Sequence, residues 1–175
     1  MISIIICSAD PRKLSFVTDN ITNTIGLPFE VIAIDNSNGQ YGICEAYNTG
    51  AKKATHSFLC FMHEDVFFET DNWGEIVCRH LNNPSIGLIG IAGGDAKSIV
   101  PSSWSIPVFS NEINITQHSK KNPAEKERQL VSRGSSISAA NRVVVLDGVW
   151  LCTRKTVFGE YQFDQKTFTG FHGYD

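Results

Sequence analysis

A mostly parallel α/β sheet flanked by helices is the fold class this sequence predicts, built as a single domain over its 175 residues. Two observations point there. Short apolar segments rich in β-branched residues alternate, across residues 2–92, with segments whose apolar positions recur at helical spacing. The apolar segments are also nearly continuous rather than alternating, as expected of strands covered on both faces. Strand–helix alternation of this kind implies right-handed crossovers between parallel strands.

Taken in chain order, Ile2–Cys7 is a β-branched run suited to a buried parallel strand. Asp10-Pro11 has the form of an N-cap and a first helical residue, where proline's fixed φ is suitable and its missing N–H is not needed. The helix carries Leu14, Val17, Ile21 and Ile25 on one face and stops at Gly26, with Pro28 just beyond. Phe29–Ile34 is the second strand, followed by the turn-rich Asp35-Asn36-Ser37-Asn38-Gly39. A second helix places Ile43, Ala46, Gly50 and Ala54 on one side, small enough to lie close on a sheet. Ser57–Met62 is the third strand, and the first three strands are expected as neighbours inside the sheet. Asp71 or Asn72 caps a helix to about Leu81, and Ser85–Ala92 is a fourth strand.

Beyond Gly94 the pattern weakens. The single domain is accordingly read as two halves, 1–94 and 95–175. The charged run from Lys120 to Arg128 has the composition of a solvated face. Arg142–Cys152 is expected as one strand.

Composition narrows the function classes. With 42% apolar residues the chain can form a sizeable core, and a net charge of −3 gives no reason to expect a nucleic-acid partner. No stretch approaches the ~20 apolar residues of a membrane-spanning helix. Five cysteines, with no CxxC pair, are expected as reduced thiols in a cytoplasmic protein. There is no GxGxxG, no GxxxxGK[ST] and no GxSxG. Dinucleotide, P-loop and serine-hydrolase chemistry therefore lack their motifs.

The residues just past each strand carry the functional signal. In an open α/β sheet, ligands bind outside the carboxyl ends of the strands. The first strand ends at Ser8, the second at Asp35 and the third at His63-Glu64-Asp65. Hydroxyl, carboxylate and imidazole-plus-carboxylate groups thus reach one edge. If Met62 faces the sheet, His63 and Asp65 share one side and Glu64 points away. A carboxylate and an imidazole two residues apart suit one Mn²⁺ or Mg²⁺ completed by phosphate oxygens. The same triplet is also compatible with a polar turn, and Asp35 with a cap on its own turn.

Order and spacing of these segments resemble the family 2 glycosyltransferases of the GT-A fold. The matching pieces are Ile2–Ser8, Val31–Asp35, the "YN.G...A" helix from Ala46 to Ala54, and Phe61–Val66 in place of the DXD segment. His63-Glu64-Asp65 stands for DXD itself, with His63 at the first acidic position. Leu146-Asp147-Gly148 through Arg154, then Phe163-Asp164, Phe168 and Gly170–Asp175, resemble the "DG...R......FD..F.GFH.YD" tail of a bacterial subgroup.

The resemblance implies inverting, metal-assisted transfer of a sugar from a nucleotide-sugar donor, a UDP-sugar, to a hydroxyl on a glycan, lipid-linked or protein acceptor. By the same resemblance, 1–94 is the nucleotide-binding half and 95–175 the acceptor-side half. Ser8 and Asp35 would hold the nucleoside, and Asn48 and Asp65 would belong to the same donor-binding set. Asp65 and His63 would hold the metal with the nucleotide, and Asp175 would be the catalytic base. His172 would position the acceptor or pack. It also implies that the chain stops short, since the family continues past this point with another acidic residue and a helix. A catalytically silent nucleotide-sugar or glycan-binding domain is the alternative. A hydrolytic metal site built from His63, Asp65, His172 and Asp175 is a further one.

Overall fold

The computed structural model describes residues 1–100, 102–106, 109–119, 122, 125–131 and 140–172. It divides into two compact units, one from Met1–Ile89 with Gly148–Tyr174 and one centred on Gly90–Asp147.

The first unit is the predicted α/β sheet. Its strands are β1 (Ile2–Ser8), β2 (Phe29–Asp35), β3 (Phe58–Met62), β4 (Leu88–Gly90) and β9 (Trp150–Arg154), in the order β2-β1-β3-β9-β4. β1 pairs parallel with both β2 and β3, while β9 runs antiparallel to β3. β2 is therefore an edge strand, not an inner one as expected, and only half-buried along most of its length. The chain steps one way from β1 to β2 and then back past β1 to β3. Right-handed crossovers consequently put α1 (Pro11–Thr24) and α2 (Ile43–Lys53) on opposite faces.

Helix α1 begins as predicted. The Asp10 carboxylate accepts from the Arg12 N–H at 2.9 Å, and Pro11 occupies the first turn. Gly26, at φ 75°, ends it. The last carbonyls of α1 are then satisfied by another helix, because Asn72 N–H donates to Thr24 O (2.6 Å) and Gly74 N–H to Ile25 O (3.0 Å). This corrects the expected cap of α3 (Trp73–Leu81). Asn72 stands at the cap position in the left-handed conformation, φ 58°, and makes no side-chain cap bond. Its backbone is committed to joining two helices.

Against the other face, α2 lies close on β1. A Cβ on Gly50 would collide with Ile5 Cγ2, so the small residue read from the sequence sets the helix–sheet distance. Below it Tyr47, Phe61, Phe158 and Phe163 form a ring cluster with centroids 5.0–5.8 Å apart.

Two sequence expectations fail at glycines. Ser85–Ala92 is not one strand but β4 and β5 (Ala92–Gly94), which belong to different sheets. Arg142–Cys152 is likewise two, β8 (Val145–Leu146) and β9, separated at Asp147-Gly148-Val149. In the second unit β6 (Asn111–His118) and β7 (Lys126–Val131) pair antiparallel, giving a sheet of order β7-β6-β5-β8. Of the charged run, residues 120, 121, 123 and 124 lie outside the described residues.

The chain leaves the first sheet after β4 and returns in β9, its neighbour. Thr153 Oγ donates to Gly87 O at 2.7 Å, which sets the end of β9 beside the start of β4. Arg154 closes this corner: its guanidinium donates to the carbonyls of Leu81, Asn83, Ile86 and Pro84 at 2.7–3.3 Å.

At the amino edge, Glu30 accepts from the Ser3 hydroxyl (2.5 Å) and from Thr55 N–H and Oγ (2.7 and 2.8 Å). These bonds, the Ser3 hydroxyl first, hold its carboxyl down to about 2. A depressed folded-state pKa means the stabilisation is complete above the unfolded value and disappears as pH falls through the folded one. Glu30→Gln should therefore lower stability at pH 7 by about 1 kcal/mol, the half-exposed site discounting the charged bonds. Denaturant titrations of both proteins should converge between about pH 4.5 and 2.

Candidate functional site

The carboxyl edge of β2, β1 and β3 is where the polar residues gather. Ser8 and Asp35 are register partners, so the ends of β1 and β2 sit side by side. The turn after β2 is held to β1 through Asn36 N–H donating to Ser8 O at 2.7 Å. The Asp35 carboxylate is exposed and accepts from Ser37 N–H at 3.0 Å, forming a turn of its own. That bond holds its carboxyl below the usual range. Asn36 stitches the same turn, accepting from Tyr41 N–H and donating to Tyr41 O.

The loop after β1 is organised by a residue expected to point elsewhere. One oxygen of Glu64 accepts from the Ser8 hydroxyl at 2.8 Å and from the N–H groups of Ala9 and Asp10, both at 3.1 Å. The period-two expectation fails because β3 ends at Met62, so Glu64 sits in a turn where alternation no longer applies. β1 and β3 are adjacent and parallel, and the carboxylate crosses between their ends. The available signal was an acidic residue two positions past a strand neighbouring the first.

Its neighbours diverge. Asp65 stands at the rim, 60% exposed, with its carboxylate 3.8 Å from Lys13 Nζ. The His63 ring lies 5.6 Å from Phe171, and the His63 backbone N–H donates to Val149 O at 3.1 Å. Among the described residues, no three His, Cys, Asp or Glu side chains converge as a metal-holding group.

Asn48 is 2% exposed on α2, and its amide is engaged by the C-terminal segment. It donates to Phe163 O (2.9 Å) and Gln165 Oε1 (2.7 Å) and accepts from Phe163 N–H (3.2 Å). Ile43 N–H donates to Gly170 O at 3.0 Å. Gly42 has no room for a side chain, since a Cβ there would meet the Thr169 carbonyl. The segment from Phe163 to Phe171 is thus fastened to α2 and to the end of β3, beside the rim. His172 packs edge-on to Phe171, centroids 5.8 Å apart. Asp175 lies outside the described residues.

A concavity of about 480 Å³ opens on the α1 side of this edge, lined by Asp10, Arg12, Lys13, Phe16, Glu64, Asp65, Val66 and Phe67. Just past the lining residue Phe67, the buried Asn20 amide of α1 both donates to and accepts from the Phe68 backbone (3.1 and 2.7 Å). No helix among the described residues is long and apolar enough to cross a membrane.

A family model described as a glycosyltransferase-like family matches residues 3–175. No curated protein matches the chain.

Proposed function

We propose, from the premise that this chain belongs to that glycosyltransferase-like family, that it transfers a hexosyl group from a UDP-sugar to an acceptor hydroxyl with inversion. The observation carrying this reading is the convergence of Ser8, Asp35, Glu64 and Asp65 at the carboxyl ends of three adjacent parallel strands. The free cysteines support a cytoplasmic setting.

In this reading the exposed Asp35 carboxylate accepts from the nucleoside, and the loop fixed by Glu64 presents Ser8 beside it. A divalent ion that arrives with a diphosphate needs only one or two protein ligands. The exposed rim carboxylate of Asp65 fits that demand, and its pair with Lys13 is weak enough to yield. Asp65 would hold Mn²⁺ or Mg²⁺, with His63 the second ligand, although its ring now rests against Phe171. When bound, the ion supplies Lewis-acid stabilisation of the leaving diphosphate. Asp175 would take the acceptor proton as general base, by the family resemblance.

Asp35→Ala should weaken UDP binding about tenfold, or about 1.4 kcal/mol, by calorimetry. Because Asp35 is exposed and its carboxylate bond closes only its own turn, the melting temperature should fall by no more than about 2–4 °C. Unchanged affinity would remove Asp35 from the donor site.

A further inference from the structure

At the amino edge a second concavity, also of about 480 Å³, opens between the loop before β3 and the end of β9. Its lining includes His56, Ser57, Phe58, Arg154, Lys155 and Thr156, and no Asp or Glu stands among the described residues that line it. In a chain of net charge −3, two cations therefore share one wall with no opposing charge on it.

Both cations are held by bonds that leave donors over. A guanidinium carries five donors and an ammonium three. Arg154 spends Nη1 on the carbonyls of Leu81, Asn83 and Ile86, and Nη2 on Pro84 O at 3.3 Å. Nε and a second Nη2 hydrogen have no acceptor among the described residues. The Nε and Nη2 groups form the side of the guanidinium fork that takes two oxygens of one oxyanion. Lys155 Nζ donates to Ala54 O at 2.6 Å, which leaves two of its hydrogens.

The walls are fixed independently of any occupant. Lys155 N–H donates to Ser57 O at 2.8 Å, and His56 N–H to Ser3 Oγ at 3.0 Å. Behind that loop one Glu30 oxygen already takes Ser3 and both donors of Thr55, so it does not answer Arg154 or Lys155. Four spare donors on two positive charges exceed what a carboxylate's two oxygens and single charge can satisfy. A phosphate dianion matches them, with at least three strong acceptor oxygens and close to two charges. The volume exceeds that of one phosphate, and Phe58 offers an apolar surface to an organic body attached to it.

We propose that this concavity binds a phosphate dianion, free or borne on a small phosphomonoester, between Arg154 and Lys155. It lies at the opposite end of the parallel strands from Ser8 and Asp35, and it does not depend on the transferase reading.

The test is amide NMR and calorimetry with inorganic phosphate and with phenyl phosphate, beside UDP, at matched ionic strength and about pH 7.5, where the dianion prevails. The amides of His56, Ser57 and Thr156 should shift saturably with a Kd of order 1 mM, while those of Ser8 and Asp35 stay in place under inorganic phosphate. Lys155→Met should weaken phosphate about fivefold or more and leave UDP affinity within about twofold. Lys155→Arg should restore phosphate binding, since the second cation supplies charge. Lys155 is exposed, and retained cooperative melting confirms folded variants. Arg154 is kept because it closes the corner of the sheet. Equal affinity for the two probes supports free phosphate as the occupant, and tighter phenyl phosphate binding supports a phosphomonoester. Absence of a saturable shift at His56, Ser57 and Thr156, or equal phosphate affinity in Lys155→Met, overturns the proposal. So does a loss of UDP affinity in Lys155→Met as large as in Asp35→Ala, since the concavity would then take the nucleotide's diphosphate. A chain that binds phosphate here but no UDP supports this site while defeating the donor reading.

Discussion

Asp65→Ala should lower the rate of sugar transfer about 10²–10³-fold, the scale of removing one group that stabilises developing charge. The variant should fold normally, since a 60% exposed carboxylate 3.8 Å from a lysine contributes little stability. Mn²⁺ affinity measured with UDP present should fall in parallel, which separates loss of the ion from loss of the fold. His63→Ala, measured alongside, should lose less, because its ring already packs on Phe171 and an imidazole is the softer ligand. Undiminished Mn²⁺ affinity in Asp65→Ala would remove Asp65 from the metal assignment.

Glu64→Ala should be the most disruptive single change at the rim. It strips the acceptor from the Ser8 hydroxyl and from two backbone N–H groups at once. Hydrogen bonds to a charged acceptor at a half-buried position amount here to about 2–3 kcal/mol. In a chain of this size that is a fall of about 5–10 °C in melting temperature. UDP affinity should drop about tenfold or more because the loop presenting Ser8 is released. Glu64→Gln keeps an acceptor oxygen in the same place and should recover most of both losses. A Glu64→Ala protein that melts and binds UDP like the wild type would show that the three bonds do not organise the loop.

The sequence carried these features unequally, for physical reasons. Helix α1 was legible because its signals are local: a cap, a proline and a glycine act within one turn. Gly50 was legible as a close-approach residue because Ile43, Ala46 and Ala54 share its face. The apolar run around Leu88–Ala92 misled because hydrophobicity does not register a change of sheet, and β4 and β5 pair with different partners. Asp147-Gly148 was a turn signal overridden by the valines before it. The β6–β7 hairpin went unread because Asn111–His118 carries only Ile113 and Ile115 on one face, too short an alternation to stand out among its polar residues. At the site, strand order was the missing quantity. Only when β1 and β3 are known as neighbours does Glu64 acquire a loop to hold. Asn48 was read from a family motif, and its fastening of residues more than a hundred positions away is invisible to any local pattern.

The departure and return of the chain on neighbouring strands has an evolutionary reading. Gly90 closes β4 and Trp150 opens β9, and the Thr153–Gly87 bond fixes those strands with exit beside entry. A segment whose two ends meet closes its loop at an entropic cost that grows only slowly with length. Its replacement therefore asks little of the rest of the molecule. Residues 90–147 are in that sense a cassette. Descendants of one α/β unit can exchange it, lengthen it or retune it while Arg154 and Thr153 keep the corner shut. A chimaera carrying a foreign cassette between Gly90 and Gly148 should keep the cooperative unfolding of the five-stranded sheet.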